Sequence, residues 1–151
     1  VLFTFFGGVM LLNNFGGVLS FALELEDQSR QFYEQIGQNQ ECSDLMSYMN
    51  QFDKDSQKNT KLLKLTRQEN VTEMILEAIN DFTRAPFLLN INGMSVSDRS
   101  TMLSIAKKIE ETCESYYRQA AEKMRGLPEV AQSLKTAEKR RTAHRQALNE
   151  F

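Results

Sequence analysis

The stretch LKTAEKRRTAHRQALNEF (residues 134–151) holds the chain's only histidine and poses the question that decides the fold. Read at helical period, Leu134, Ala137, Arg141, His144 and Leu148 share one face, with Val130 one turn earlier. Alternating steps of three and four residues are the spacing of a seam that faces other helices. Yet the middle of this seam carries a guanidinium and an imidazole. Burying such groups alone is expensive, so other helices must bring carboxylates to meet them.

Working outward, three more helical stretches supply those partners. The first, about residues 18–38, has the seam Leu19, Ala22, Glu26, Ser29, Tyr33 and Ile36. The second, about residues 44–80, starts at a Ser43 or Asp44 cap, with a possible break near DKDSQKNT (53–60). Its later part reads Leu62, Leu65, Glu69, Thr72 and Leu76. A third helix, from a Ser95 or Ser97 cap to about Arg125, reads Leu103, Ala106, Glu110, Cys113, Tyr117, Ala120 and Met124. RGLPE (125–129) then turns the chain, with Gly126 ending one helix and Pro128 in the first turn of the next. Between the second and third helices, DFTRAPFLLNINGMSVSD (81–98) is too long for a hairpin and suits a crossover along a bundle. Its apolar PFLLNI should lie on the bundle surface. The expected fold is all-α, an antiparallel four-helix bundle with one long crossover.

Every helix thus places an ionisable group on its inner stripe: Glu26, Glu69, Glu110, and Arg141 with His144. One such intrusion could be a misread register, whereas four together imply a shared polar site. The pattern is also duplicated. Ala22/Glu26/Tyr33 and Ala106/Glu110/Tyr117 have the same spacing, as do Leu65/Glu69/Thr72/Leu76 and Ala137/Arg141/His144/Leu148. The chain reads as two helix pairs related by a pseudo-two-fold.

A Glu followed seven residues later by Tyr on helices one and three, with Glu-x-x-His positions on helices two and four, resembles the ferritin-like superfamily, its rubrerythrin-like branch above all. The resemblance runs from about Gly17 to Phe151. It implies a di-iron or di-manganese cage: residues at i and i+3 lie about 4.5 Å apart along a helix and can reach one ion, and single glutamates from the other helices complete the set. It further implies ligands at positions 26, 69, 72, 110, 141 and 144, with Tyr33 and Tyr117 as hydrogen-bond donors behind them, and peroxide, dioxygen or ferrous-iron chemistry. Glu26, Glu69, Glu110 and His144 have the right chemistry for metal ligands. Thr72 and Arg141 do not; they disrupt the site, and a guanidinium can neither ligate a metal nor lose its charge.

Two functions follow from that mixture. One is a non-enzymatic bundle with a salt-bridged core and no cofactor, in which Arg141 meets at least two of the three glutamates. The other is an iron- or manganese-dependent oxidoreductase with one ion, zinc being a further option, held by Glu69, Glu110 and His144. The first is preferred because the departures strike both halves of the site. The second would bring a redox or iron-handling protein partner.

Composition narrows the field further. The 151 residues suit one domain, and two prolines and seven glycines are few enough to favour long helices. A formal net charge of −2, with no basic run interleaved with aromatics, gives no reason to expect nucleic acid. Cys42 and Cys113 are too isolated for a thiolate zinc or iron–sulfur module, and two lone thiols point to a reducing, cytoplasmic setting. Cys113 reads as a small core residue.

Residues 1–15 form an apolar N-terminal segment ahead of the bundle at 16–151, with FGGV occurring twice and no charge before Glu24. Its length admits a membrane-associated reading for Val1–Leu12. Asn13, Asn14, two Gly-Gly pairs and the lack of a basic n-region argue against that reading. The segment is expected to pack on the bundle or on a second copy, as in a two-fold homodimer.

Overall fold

Asn14 starts the first helix by accepting the Gly17 N–H on its side chain at 2.6 Å, so α1 spans Phe15–Gln38 and takes in the second FGGV. The computed structural model describes residues 12, 14–72, 79–91 and 98–151. The first eleven residues, Asn13, Met74, Leu76, Gly93, Ser95 and Ser97 lie outside these, and with them most of the apolar segment read above.

After α1, Asn39 caps a short 3-10 turn, Gln40–Leu45, by accepting the Glu41 N–H. Neither Ser43 nor Asp44 caps the next helix. Both lie inside that turn, and Asp44 instead forks onto Arg99. Helix α2 (Met46–Glu69) runs unbroken through DKDSQKNT, where Lys and Gln favour helix and point to solvent. Asp98, rather than a serine, caps α3 (Arg99–Lys123) by accepting the Thr101 N–H at 2.7 Å. Helix α4 (Pro128–Leu148) has proline in its first turn, as the sequence suggested.

Side-chain pairs fix the topology. Arg30 meets Asp53 and Tyr33 meets Phe52, so α1 and α2 are antiparallel. Thr66 meets Ser133, Asn59 meets Arg140, and Tyr48 meets Phe151, so α2 and α4 are antiparallel too. Arg118–Glu138 and Arg141–Glu110 set the same relation for α3 and α4. Phe21–Tyr116 and Asn39–Met102 set it for α1 and α3. Helices α2 and α3 are therefore parallel and diagonal, which is why a long crossover must join them.

That crossover is anchored by aromatic packing. Asp81 adopts φ 58°, a left-handed turn that Asp tolerates better than most residues. Phe82 then stacks on Tyr116 at 5.6 Å, Phe87 meets the same ring edge-on at 5.1 Å, and the Tyr116 hydroxyl donates to the Val18 carbonyl. Within PFLLNI, Phe87 and Leu89 are buried while Leu88 is exposed, so the segment lies along the bundle surface. The Leu12 N–H donates to the Phe82 carbonyl, tying the start of the described chain to the crossover.

The seams read for α1, α3 and α4 are all buried. The seam of α2 is not the one expected. Met49, Phe52, Ser56, Asn59, Leu63 and Thr66 face inward, while Leu65, Glu69 and Thr72 are exposed. The inner stripe keeps the three-and-four spacing but is partly polar, and its small side chains are satisfied across the bundle. Apolar Leu62 and Leu65 gave the outer stripe a false signal. No helix among the described residues is long and apolar enough to cross a membrane.

Since Phe82 is buried between the crossover and α3, Phe82→Ala should lower unfolding free energy by about 3–5 kcal/mol. Urea titration followed by circular dichroism measures this, with a wild-type-like native spectrum expected before the transition.

Candidate functional site

Four helices place polar side chains at one level of the core. Glu26 comes from α1, Ser56 and Asn59 from α2, Glu110 from α3, and Arg141 and His144 from α4; all six are buried. The pairing that fits the pseudo-two-fold is Phe52/Ser56/Asn59/Leu63 with Ala137/Arg141/His144/Leu148. Ser56-x-x-Asn59 therefore stands opposite Arg141-x-x-His144. Glu69 and Thr72 take no part in this layer, because the inner face of α2 is rotated away from them.

Arg141 sits between the two glutamates. Nη1 donates to Glu110 Oε2 at 2.7 Å and Oε1 at 3.1 Å, and Nη2 lies 2.8 Å from Glu26 Oε1. Nη2 also donates to Ser29 Oγ at 2.8 Å, while Ser29 donates to the Glu26 carbonyl. A planar fork with fixed donors is suited to bridging two carboxylates, which a flexible ammonium is not. The geometry meets the expectation that Arg141 contacts at least two glutamates.

The remaining acceptors are met from other helices. Ser56 Oγ donates to Glu26 Oε1 at 2.7 Å, Asn59 Nδ2 lies 3.3 Å from Oε2, and the Tyr117 hydroxyl donates to the same oxygen. Arg140 in turn donates to Asn59 Oδ1 at 2.9 Å, which orients the amide so that its nitrogen faces Glu26. Burial and then the Glu26 charge push the Tyr117 phenol well above its ordinary range, so it acts as a donor. Tyr33 occupies the matching position beside Glu110, and burial and then the Glu110 charge push its phenol well above the ordinary range, but its hydroxyl makes no well-formed hydrogen bond among the described residues. The two halves are alike in layout but not in bonding.

His144 completes the Glu110 half. Its Nδ1 is 2.6 Å from Glu110 Oε1 and its Nε2 is 2.8 Å from Asp55 Oδ2, while the ring stacks on Phe52 at 3.9 Å. A ring nitrogen that carries a proton donates to the carboxylate it faces. The histidine thereby ties α4 to α2 and α3. Burial alone would raise the Glu110 pKa, but the Arg141 charge and the His144 contact outweigh it and hold Glu110 below the usual carboxylate range. Beside this layer, burial drives the Cys113 thiol up to about 12, so it is a neutral core group.

These residues do not fit a di-metal cage. The place of one bridging carboxylate is taken by a guanidinium that already occupies oxygens of both glutamates. The positions opposite it are Ser56 and Asn59, neither of which is an anionic or imidazole ligand. Among the described residues, no group of three or more His, Cys, Asp or Glu side chains is placed to hold a metal ion. Sequence reasoning missed Ser56, Asn59 and Asp55 because Ser and Asn are ordinary surface residues and their stretch looked like a helix break.

Arg141→Met should destabilise the fold by about 3–5 kcal/mol, since two buried carboxylates lose their partner. Glu69→Gln should change stability by no more than about 0.5 kcal/mol. Chemical denaturation of both variants checks the rotation of α2. Because the Glu110 pKa is depressed in the folded state, its contribution is present above the unfolded value of about 4.3 and is lost as pH falls through the folded value. Stability measured from pH 6 down to pH 2 should fall less steeply in Glu110→Gln than in the wild type.

The chain was also compared with known proteins. A family model described as a ferritin-like domain matches residues 16–150. No curated protein and no solved structure matched. The family match covers all four helices and agrees with the all-α bundle and its crossover, so the chain belongs to the ferritin-like domain family.

Proposed function

We propose that this ferritin-like domain is a non-enzymatic bundle in which the Arg141 guanidinium takes the place of a metal ion. The observation that carries this reading is the bridge from Arg141 to both Glu26 and Glu110 at the centre of the core. In the family a divalent ion would neutralise converging carboxylates. Here a covalently attached cation does so, and it needs no loading step and no coordination geometry beyond its own fork.

The donor set supports the same conclusion from the other side. The single-ion alternative depended on Glu69, which is exposed and belongs to a different face of α2. Without it, Glu110 and His144 remain, and both are engaged: Glu110 by Arg141 and His144, His144 by Asp55. A cation entering this space would have to displace a like charge that already bridges both carboxylates. On this reading the residues in the core hold four helices in register and the domain acts through its surface, with the polar layer serving as an internal clasp.

Metal analysis by mass spectrometry, after expression in medium supplemented with iron and manganese, tests this. The expected result is metal well below one equivalent and a Tm unmoved by chelator. Near-stoichiometric iron or manganese that disappears in His144→Ala would overturn the proposal and favour the oxidoreductase reading. In the converse experiment, Ser56→Glu, Asn59→His and Arg141→Glu together recreate two Glu-x-x-His positions beside Glu26 and Glu110. That triple variant should gain tight binding of two manganese or ferrous ions per chain, while Glu69→Asp and Thr72→His should add nothing.

A further inference from the structure

The outer surface of α1 and α2 is divided by charge sign. On α1, Asp27 and Glu34 are exposed, each one residue beyond an inward residue that faces α2, Glu26 and Tyr33 respectively. On α2, Lys54, Lys61, Lys64 and Arg67 are exposed. None of these six residues makes an ion pair within the chain among the described residues. The charged residues that do pair near this face are Arg30 with Asp53 and Glu24 with Arg84. Apart from Glu69 at the end of α2, what remains is an acidic ridge and a basic ridge, side by side on antiparallel helices.

The ridges overlap in height at Asp27 and Lys54. The register that sets Glu26 beside Ser56 and Arg30 beside Asp53 puts Asp27 level with Asp55 and Ser56, one or two residues from Lys54. Lys61 lies five or six residues further along, about 8 Å on the helix axis. Glu34 is level with Tyr48 and Met49, about the same distance on the other side of Lys54. Between α1 and α2, at the Glu34 end of the acidic ridge, lies a cleft of about 180 Å³ lined by the Arg30–Asp53 pair with Tyr33, Glu34, Met46 and Met49 among others. Met46 is 43% exposed at its edge, an apolar side chain with room beside it.

We infer that this face is the binding surface for a second copy of the chain, related by a two-fold axis parallel to the helices. That operator places α1 of each copy against α2 of the other. The second copy's Lys54 then meets Asp27, with its Lys61 and this copy's Glu34 flanking that contact on either side, and the same arrangement is repeated across the axis. A two-fold perpendicular to the helices would set α1 on α1 and α2 on α2, placing like charges together. Exposed pairs contribute little each, so the cleft and Met46 supply contact area while the ridges select orientation and partner. The self-complementary pattern favours a copy of this chain over an acidic or basic protein, either of which would be repelled by one ridge. The inference stands apart from what occupies the bundle core.

Sedimentation equilibrium of the full chain tests it. A dimer is expected at 50 mM salt, with a dissociation constant at least about tenfold weaker at 500 mM, as screening removes the ridge attraction. Lys54→Glu/Lys61→Glu and Asp27→Lys/Glu34→Lys should each be monomeric alone at concentrations where the wild type is dimeric. Mixing the two should restore a dimer, because both contacts across the axis regain opposite charges. The substitutions are on exposed positions, so circular dichroism should show unchanged helix content. A monomeric wild type, a dimer insensitive to both salt and charge reversal, or a mixture that stays monomeric would each overturn the inference.

Discussion

The fork of Arg141 across Glu26 and Glu110 is the constraint to which the rest of the core answers. Three buried charges from three helices are stable together only if their oxygens and N–H groups find partners of suitable geometry, and of the Arg141 nitrogens Nε alone has none among the described residues. That requirement explains residues that otherwise look out of place. Ser29 turns inward to accept from Arg141, Ser56 turns inward to donate to Glu26, and Asn59 also donates to Glu26 with its amide oriented by Arg140. His144 tethers the other glutamate and carries the network to Asp55 near the surface. Removing any one of these is unlike removing an apolar contact, since a buried group is left without its partner.

The same network explains how the bundle is built. Apolar packing supplies most of the driving force, through seams in α1, α3 and α4 and an aromatic cluster where Phe82 and Phe87 pin the crossover to Tyr116. Hydrophobic seams tolerate sliding, however, whereas a bridged guanidinium does not. A shift of one residue in any helix would rotate a charge out of the layer. The polar core thus contributes specificity of register beyond whatever net stability it adds. On the surface, the exposed unpaired charges facing outward are acidic on α1 and mostly basic on α2.

Much of this was legible in the sequence, and the exception is instructive. Glu26, Glu110, Arg141 and His144 were identified because each interrupts an otherwise apolar seam, which is a strong signal for a shared polar site. Glu69 and Thr72 were read into the same layer for two reasons. Leu62 and Leu65 make an apolar stripe around them, and Glu69 supplies the ionisable residue that symmetry demanded. The true stripe through Phe52, Ser56, Asn59 and Leu63 has identical spacing, but Ser and Asn carry no charge and are common in turns. What separates the two readings is partnership across the bundle: Ser56 with Glu26, Thr66 with Ser133. Period alone contains no such information. The caps of α2 and α3 escaped for a related reason, since Asp44 was recruited by Arg99 and several nearby polar residues could have served.

The account depends most on one assignment, that the cation between Glu26 and Glu110 is the Arg141 guanidinium. Crystals of protein produced in iron- and manganese-rich medium, with diffraction data collected above both metal absorption edges, address it directly. The predicted result is planar guanidinium density within hydrogen-bonding distance of both carboxylates and no anomalous peak in the core. An anomalous peak between Glu26 and Glu110, with Arg141 turned aside, would contradict it.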